Sequence, residues 1–138
     1  MKRLIAVFIC IINLLILTGC TKENSNSFSI IGKWGMVSGS ITNKDGSVNR
    51  YGKLGSNIYY QYIEYKVDGT IIKTTEPDKK VSYGDYVYNE ASKLLQYKFD
   101  GEQYYVNASI NVVSSNEMTV TFDYGSAGRI IQYFFKLK

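Results

Sequence analysis

Downstream of residue 28 the chain consists of short runs in which apolar and polar residues alternate. No window of about eleven or more residues repeats apolar positions at i, i+3, i+4 and i+7, the spacing of an amphipathic helix. Eight runs rich in β-branched and aromatic residues stand out instead, at 30–41, 58–67, 70–75, 82–89, 94–99, 103–113, 118–124 and 129–137. Most gaps between them are short and polar, so neighbours in sequence are predicted to pair as antiparallel neighbours in space. Asp68-Gly69 and Asp100-Gly101 each fall between two runs, and both read as two-residue hairpin loops of type I′. Successive residues of a strand point to opposite sides, which sorts the faces. In the sixth run Tyr104, Val106, Ala108, Ile110 and Val112 share a side, and in the seventh Met118, Val120, Phe122 and Tyr124 do. In the eighth, Ile131, Tyr133, Phe135 and Leu137 form the better apolar side. The fourth run has bulky residues at both parities, so its orientation stays open.

A meander with one apolar face and no helix to cover it must hide that face in another way. Closure into an all-β, eight-stranded antiparallel up-and-down β-barrel removes both edges and turns the apolar side inward. Two stacked sheets, a β-sandwich, are the alternative. Up-and-down order places the connections 42–57, 76–81, 100–101 and 125–128 at one end. The longest of them, with Gly46, Gly52 and Gly55 among Ser and Asn, reads as a movable lid over that mouth.

The N-terminal residues differ in kind. Met1-Lys2-Arg3 is cationic, and 4–17 is apolar apart from Asn13. That stretch is shorter than the roughly 20 residues needed to span a bilayer, so it reads as an export signal. It ends in Leu17-Thr18-Gly19-Cys20, which resembles the lipobox of bacterial lipoproteins. The resemblance implies cleavage before Cys20, acylation of its thiol by chains such as palmitate, and a protein held in the cell envelope, expected at the outer membrane. Two or three acyl chains exceed what stable anchoring needs. The organisation is then a signal peptide over 1–19, a lipidated Cys20 with a polar tether over 20–27, and one domain over 28–138, a length that fills a single core.

Composition removes several chemistries. The chain of 138 residues has no histidine and two cysteines. Cys10 leaves with the signal and Cys20 is taken by lipid, so no disulfide, Ser-His-Asp relay, Cys-His pair or His/Cys zinc site can form. Asp45 to Asn49 lacks the acid density of a calcium loop, and no metal or other cofactor is expected. Loss of Lys2 and Arg3 takes the net charge from +4 to +2 with no basic stripe, which argues against nucleic acid. The 13 tyrosines and 12 glycines suit strands and turns.

Gly32-Lys33-Trp34 on the first run is similar to the Gly-x-Trp motif of lipocalins. Together with the lipobox, the eight runs and the Tyr65–Thr70 hairpin, it makes residues 28–138 resemble the lipocalin-like lipoproteins of Bacteroides-type bacteria. In that family the Trp closes one end of the barrel, and a large lid loop follows the first strand. An Arg beyond the last strand commonly stacks on the Trp. Here Arg129 sits at the wrong end of its strand, so Lys136 or Lys138 is expected over the Trp face.

The resemblance and the alternation together give an interior set of Trp34, Met36, Tyr65, Tyr104, Phe122, Tyr133 and Phe135. These are the candidate ligand-binding residues, and their bulk predicts a narrow pocket for a small or slender apolar molecule. Tyr59 and Tyr65 are predicted on one face of their run, and Tyr60 and Tyr62 on the other, one pair therefore facing outward. The leading functional expectation is a membrane-anchored binding module taking a small apolar ligand. The alternative is a surface interaction protein with a filled barrel that recognises a protein or glycan through loops and exposed tyrosines. An enzyme is not expected, because no spacing among Glu64, Asp85, Asp100 and Glu102 singles out a catalytic pair.

Overall fold

The computed structural model describes residues 27–52 and 59–138; the segment read as an export signal, Cys20 and nearly all of the segment read as a tether lie outside the described residues. Nine strands follow one another: β1 (Gly32–Asn43), β2 (Val48–Gly52), β3 (Gln61–Tyr65), β4 (Thr70–Thr75), β5 (Lys80–Asn89), β6 (Leu94–Phe99), β7 (Val106–Ser114), β8 (Glu117–Asp123) and β9 (Gly128–Lys136). Strand β1 pairs antiparallel with both β2 and β3, each strand from β3 to β8 pairs antiparallel with the next, and β9 returns to pair with β1 from Trp34–Lys136 to Asn43–Gly128. Strands β1 and β3–β9 thus form a closed eight-stranded barrel, with β2 as one extra strand. Closure matters energetically because it leaves no barrel strand with an unpaired backbone edge.

The joint of the structure is β1. One edge of a strand can pair with only one partner at a given position, and β2 and β3 share that edge end to end. Gly32–Met36 pair with β3, and Ser38–Thr42 pair with β2. On the opposite edge the register against β9 shifts between Met36 and Ser38, so Val37 is an extra residue. The bulge reverses the parity of β1: Trp34 and Met36 point inward before it, whereas Gly39 and Ile41 share the inward rows with Gln132 and Ile130 after it. Gly52 ends β2 at φ +73, and a Cβ there would overlap the Val37 carbonyl. The segment read as a lid is therefore in part a hairpin. Asn43 and Ser47 close its turn, Asp45 caps Ser47, and β2 returns along β1.

Two interior assignments need correction. Strand β9 turns Phe134, not Tyr133 and Phe135, into the barrel: Phe134 is 1% exposed and pairs with both Met36 and Met118. Ile130-Ile131 and Tyr133-Phe134-Phe135 are apolar at both parities, so composition cannot choose a face. Register against the inward Met118, Val120 and Phe122 decides it. Tyr104 is 79% exposed and belongs to no strand, because the β6–β7 connection runs from Asp100 to Tyr105 and the ladder begins only at the Tyr97–Val106 pair. The Asp-Gly pairs fall between the expected strands, but inside connections 66–69 and 100–105 instead of two-residue loops, and neither turn is type I′. Only Gly69 (φ 87) and Gly101 (φ 86) are left-handed, whereas type I′ needs two such residues. In β5, Tyr86 faces inward, while Tyr83 and Val87 are exposed.

The inward rows make one core. Trp34, Tyr65, Ile71, Leu95, Met118 and Phe134 are each less than 2% exposed, and Ile63, Tyr86, Phe99, Ile110, Val120 and Phe122 complete the wall. Burying a side chain of this size contributes about 1.5–3 kcal/mol. Gly84 lies opposite Phe99, where a Cβ would overlap the Lys98 carbonyl; only a glycine lets β5 and β6 approach there.

Candidate functional site

The two ends of the barrel differ. At the β1 start the chain before the first strand folds across the opening. Phe28 packs 5.8 Å from Trp34 and 6.4 Å from Tyr88, ring centre to ring centre. The Trp34 indole Nε1 donates to the Ile30 carbonyl at 2.7 Å. Lys136 at the end of β9 holds its ammonium 5.2 Å from the Trp34 ring centre and donates to the Ser29 carbonyl at 2.8 Å. Partial burial holds its pKa below the ordinary lysine value. Of the two lysines expected over the Trp face, Lys136 is the one that reaches it. This end is sealed.

Toward the other end a cavity of about 150 Å³ remains between Gln61, Ile63, Tyr65, Lys73, Tyr97, Phe99, Val120, Phe122 and Gln132. Four of these wall residues carry polar heads, Gln61, Lys73, Tyr97 and Gln132, and of these only Tyr97 follows from alternation, beside Leu95 and Phe99. Gln61 and Gln132 approach at 3.4 Å, a long hydrogen bond, and the Lys73 ammonium lies 4.3 Å from the Phe99 ring centre. Burial raises the Tyr65 phenol above its ordinary range, with the neighbouring Tyr97 and Tyr86 adding to the effect. Tyr97 is pushed up to about 12, first by burial and then by Tyr124 and Glu102. Both are uncharged hydroxyls at neutral pH. Tyr51 on β2 pairs with Gly39 and packs against the core, and a Cβ on Gly39 would overlap its hydroxyl. The cavity falls below the roughly 300–1,000 Å³ of ordinary ligand pockets.

A larger concavity, about 440 Å³, lies on the outer wall. Besides Gly39 and Tyr51, its residues belong to the outward rows of three adjacent strands: Val48, Arg50 and Gly52 of β2, Ser38, Ser40 and Thr42 of β1, and Ile131 and Tyr133 of β9. Ser38 is 7% exposed, and its hydroxyl is buried with no hydrogen-bond partner among the described residues. Among the described residues, no carboxylate lines this groove. The only ion pair among the described residues, Arg129–Asp123 at 2.8 Å, stands near the groove's end, and the Gly125 amide, with Arg129, holds the Asp123 carboxyl below its usual range.

Of the interior set, Trp34, Met36, Tyr65 and Phe122 point into the barrel, but only Tyr65 and Phe122 border the cavity; Trp34 and Met36 are packed solid below it. Tyr133 borders the outer groove instead, Phe135 faces outward beside Gly35, and Tyr104 stands in solvent. The aromatic pair on the outer wall is Tyr59 with Tyr62, ring centres 5.3 Å apart, not Tyr60 with Tyr62. Tyr59 precedes β3 and is free of its alternation, and its ring lies over Gly35, where a Cβ would overlap it. Cys20 lies outside the described residues. The residues that sequence reasoning missed, Gln132, Lys73 and Arg50, are polar. The register of Phe122 and Val120 against β9 is the signal that finds Gln132.

The fold and its cavities define a class: a closed antiparallel barrel with a nearly filled lumen, one sealed end and an outer-wall groove. No family model matches the chain, and neither does any curated protein. A solved structure of a DUF4847 family protein from Bacteroides vulgatus ATCC 8482 is similar, with a TM-score of 0.50 at 14% identity over 78% of this chain and 94% of that one. At that identity the likeness shows the fold alone.

Proposed function

We propose that this is an envelope-anchored, lipocalin-like binding module that works from its outer wall, with the barrel serving as a filled support. The observation that carries the reading is the contrast in volume: about 150 Å³ inside, walled by bulky side chains, against about 440 Å³ outside. A lumen of that size admits at most a molecule about as large as benzene. The anchor reading fits the geometry: the tether leads into Phe28, which packs at the sealed end, while the groove lies along the upper halves of β1 and β9. Lipid on Cys20 would thus hold the sealed end toward the membrane and present the groove away from it. In this reading Tyr65 and Phe122 are wall residues, and catalysis has no part.

Native mass spectrometry of the full-length lipidated protein, extracted gently in detergent, tests this. The expected spectrum is the protein plus its Cys20 acyl chains with no further small molecule. A stoichiometric apolar passenger that is lost when Val120→Phe fills the cavity would overturn the proposal and restore a carrier.

A further inference from the structure

We propose that the outer groove of β2, β1 and β9 is a binding site for an acidic saccharide, with its carboxylate on Arg50, its C–H face on Tyr133 and Ile131, and its hydroxyls on Ser38 and Ser40. The inference deepens the outer-wall reading above and rests on it.

The groove is organised by cross-strand rows. Gly52, Ser38 and Tyr133 lie side by side in one row, and Arg50, Ser40 and Ile131 in the next. The middle strand thus offers a column of hydroxyls, β9 offers a flat apolar flank, and β2 offers the cation. Strands about 4.8 Å apart, with same-side residues about 6.8 Å apart, set these groups at the scale of a sugar ring and its neighbour. Each component answers one part of a saccharide's chemistry. Ser hydroxyls both donate and accept, as sugar hydroxyls do. A tyrosine ring gives the C–H face of a pyranose an apolar surface while its hydroxyl stays polar. Guanidinium matches a carboxylate in bidentate geometry.

Ser38 points to a ligand independently of this pattern. A buried hydroxyl without a partner is costly and is uncommon in folded proteins. Ser38 sits in the groove wall opposite Gly52, which carries no side chain to satisfy it, but its hydroxyl is covered in this fold and the Tyr60 ring stands beside Gly52, so a ligand reaches it only when that cover shifts. A ligand hydroxyl at that row would supply the missing bond. The sign of the charge follows from the lining. Arg50 makes no ion pair among the described residues, no acid lines the groove, and the neighbouring Arg129 is matched by Asp123. An anion is therefore favoured over a neutral sugar and a cation is disfavoured.

The experiment uses the full-length lipidated protein in detergent micelles against an array of uronic- and sialic-acid oligosaccharides with their carboxyl-reduced, neutral counterparts. Titration calorimetry follows on the best binder. Binding is expected for carboxylated members and at least tenfold weaker for the reduced ones. Arg50→Gln should cost tenfold or more, and Arg50→Lys less. Tyr133→Ala should cost about tenfold, with Tyr104→Ala unchanged. Ser38→Ala should weaken binding severalfold while raising Tm, a combination that a merely structural role would not give; Tm also reports whether each variant folds. An array with no carboxylate-dependent binder, or a binder indifferent to Arg50→Gln and Tyr133→Ala, overturns the proposal. Binding of an extended peptide that is blocked by Val48→Pro but not by Arg50→Gln overturns it in favour of strand addition at β2. A silent array with an empty lumen sinks the saccharide alone. A passenger inside the lumen sinks the outer-wall reading itself.

Discussion

At the sealed end of the barrel Trp34 is wholly buried, its indole N–H is bonded to Ile30, and its face is covered by Phe28 and Lys136. Further along the same strands, Gln61, Lys73 and Gln132 put amides and an ammonium on the barrel axis around a small void. Both ends must close the same cylinder, but one does so by packing and the other by polar side chains that reach across it. Buried apolar side chains contribute kilocalories each, whereas a long amide pair at the edge of solvent contributes little net. Stability should therefore reside below the cavity, leaving the upper wall free to vary its chemistry.

The sharpest way to break that contrast is Trp34→Ala. It should cost about 4 kcal/mol, because it empties the largest buried side chain and strands the Ile30 carbonyl. Urea unfolding measures it, and a cost below 1 kcal/mol would show that the sealed end is not the stabilising one. The next effect in size is alkaline. The Tyr97 phenol, ordinarily near 10, titrates in the fold at about 12, so its contribution is complete below pH 10 and is lost as pH rises from 10 toward 12. Burial shifts Tyr65 in the same direction. Stability should fall by about 2 kcal/mol over that window. Tyr97→Phe should flatten the fall in part, as followed by denaturant midpoints at pH 9 and pH 11.5. Lys136→Met keeps a cover over Trp34 but removes the cation and the bond to Ser29, for a loss of about 1 kcal/mol. Smallest is Gln132→Leu, expected within about 0.5 kcal/mol of the parent, since the Gln61 contact it removes is long and the cavity accepts the change. If Gln132→Leu proves worse than Lys136→Met, the open end carries more of the stability than its packing suggests.

Much of this architecture was legible before any coordinates. Regular alternation in β7 and β8 fixed Ala108, Ile110, Met118, Val120 and Phe122 as inward, and the Gly32-x-Trp34 pattern with a late lysine anticipated the stack of Lys136 on Trp34. Failures came where local pattern carries no information. The apolar doublet and triplet of β9 satisfy either face, and only hydrogen-bonded register against β8 chooses. The Val37 bulge leaves no mark in composition, although it reverses β1. Strand β2 is too polar and short to announce itself, because it pairs outside the closed cylinder and buries little. The groove escaped for the same reason as the lumen amides: Ser38, Arg50, Gln61 and Gln132 interrupt or lie outside the apolar code, and strand neighbours, not sequence neighbours, bring them together.

The division of the first strand's edge between two partners has a mechanical consequence. From Gly32 to Asn43 this strand is flanked by hydrogen-bonded neighbours, with β9 on one side and β3 then β2 on the other. In the proposed arrangement, a tug between a lipid anchor at its lower end and a captured saccharide at its upper end would run along the strand's own axis. The flanking ladders then share the load in shear, many bonds at once, instead of parting one after another like a zipper. A tethered receptor of this design would resist being unravelled by what it holds.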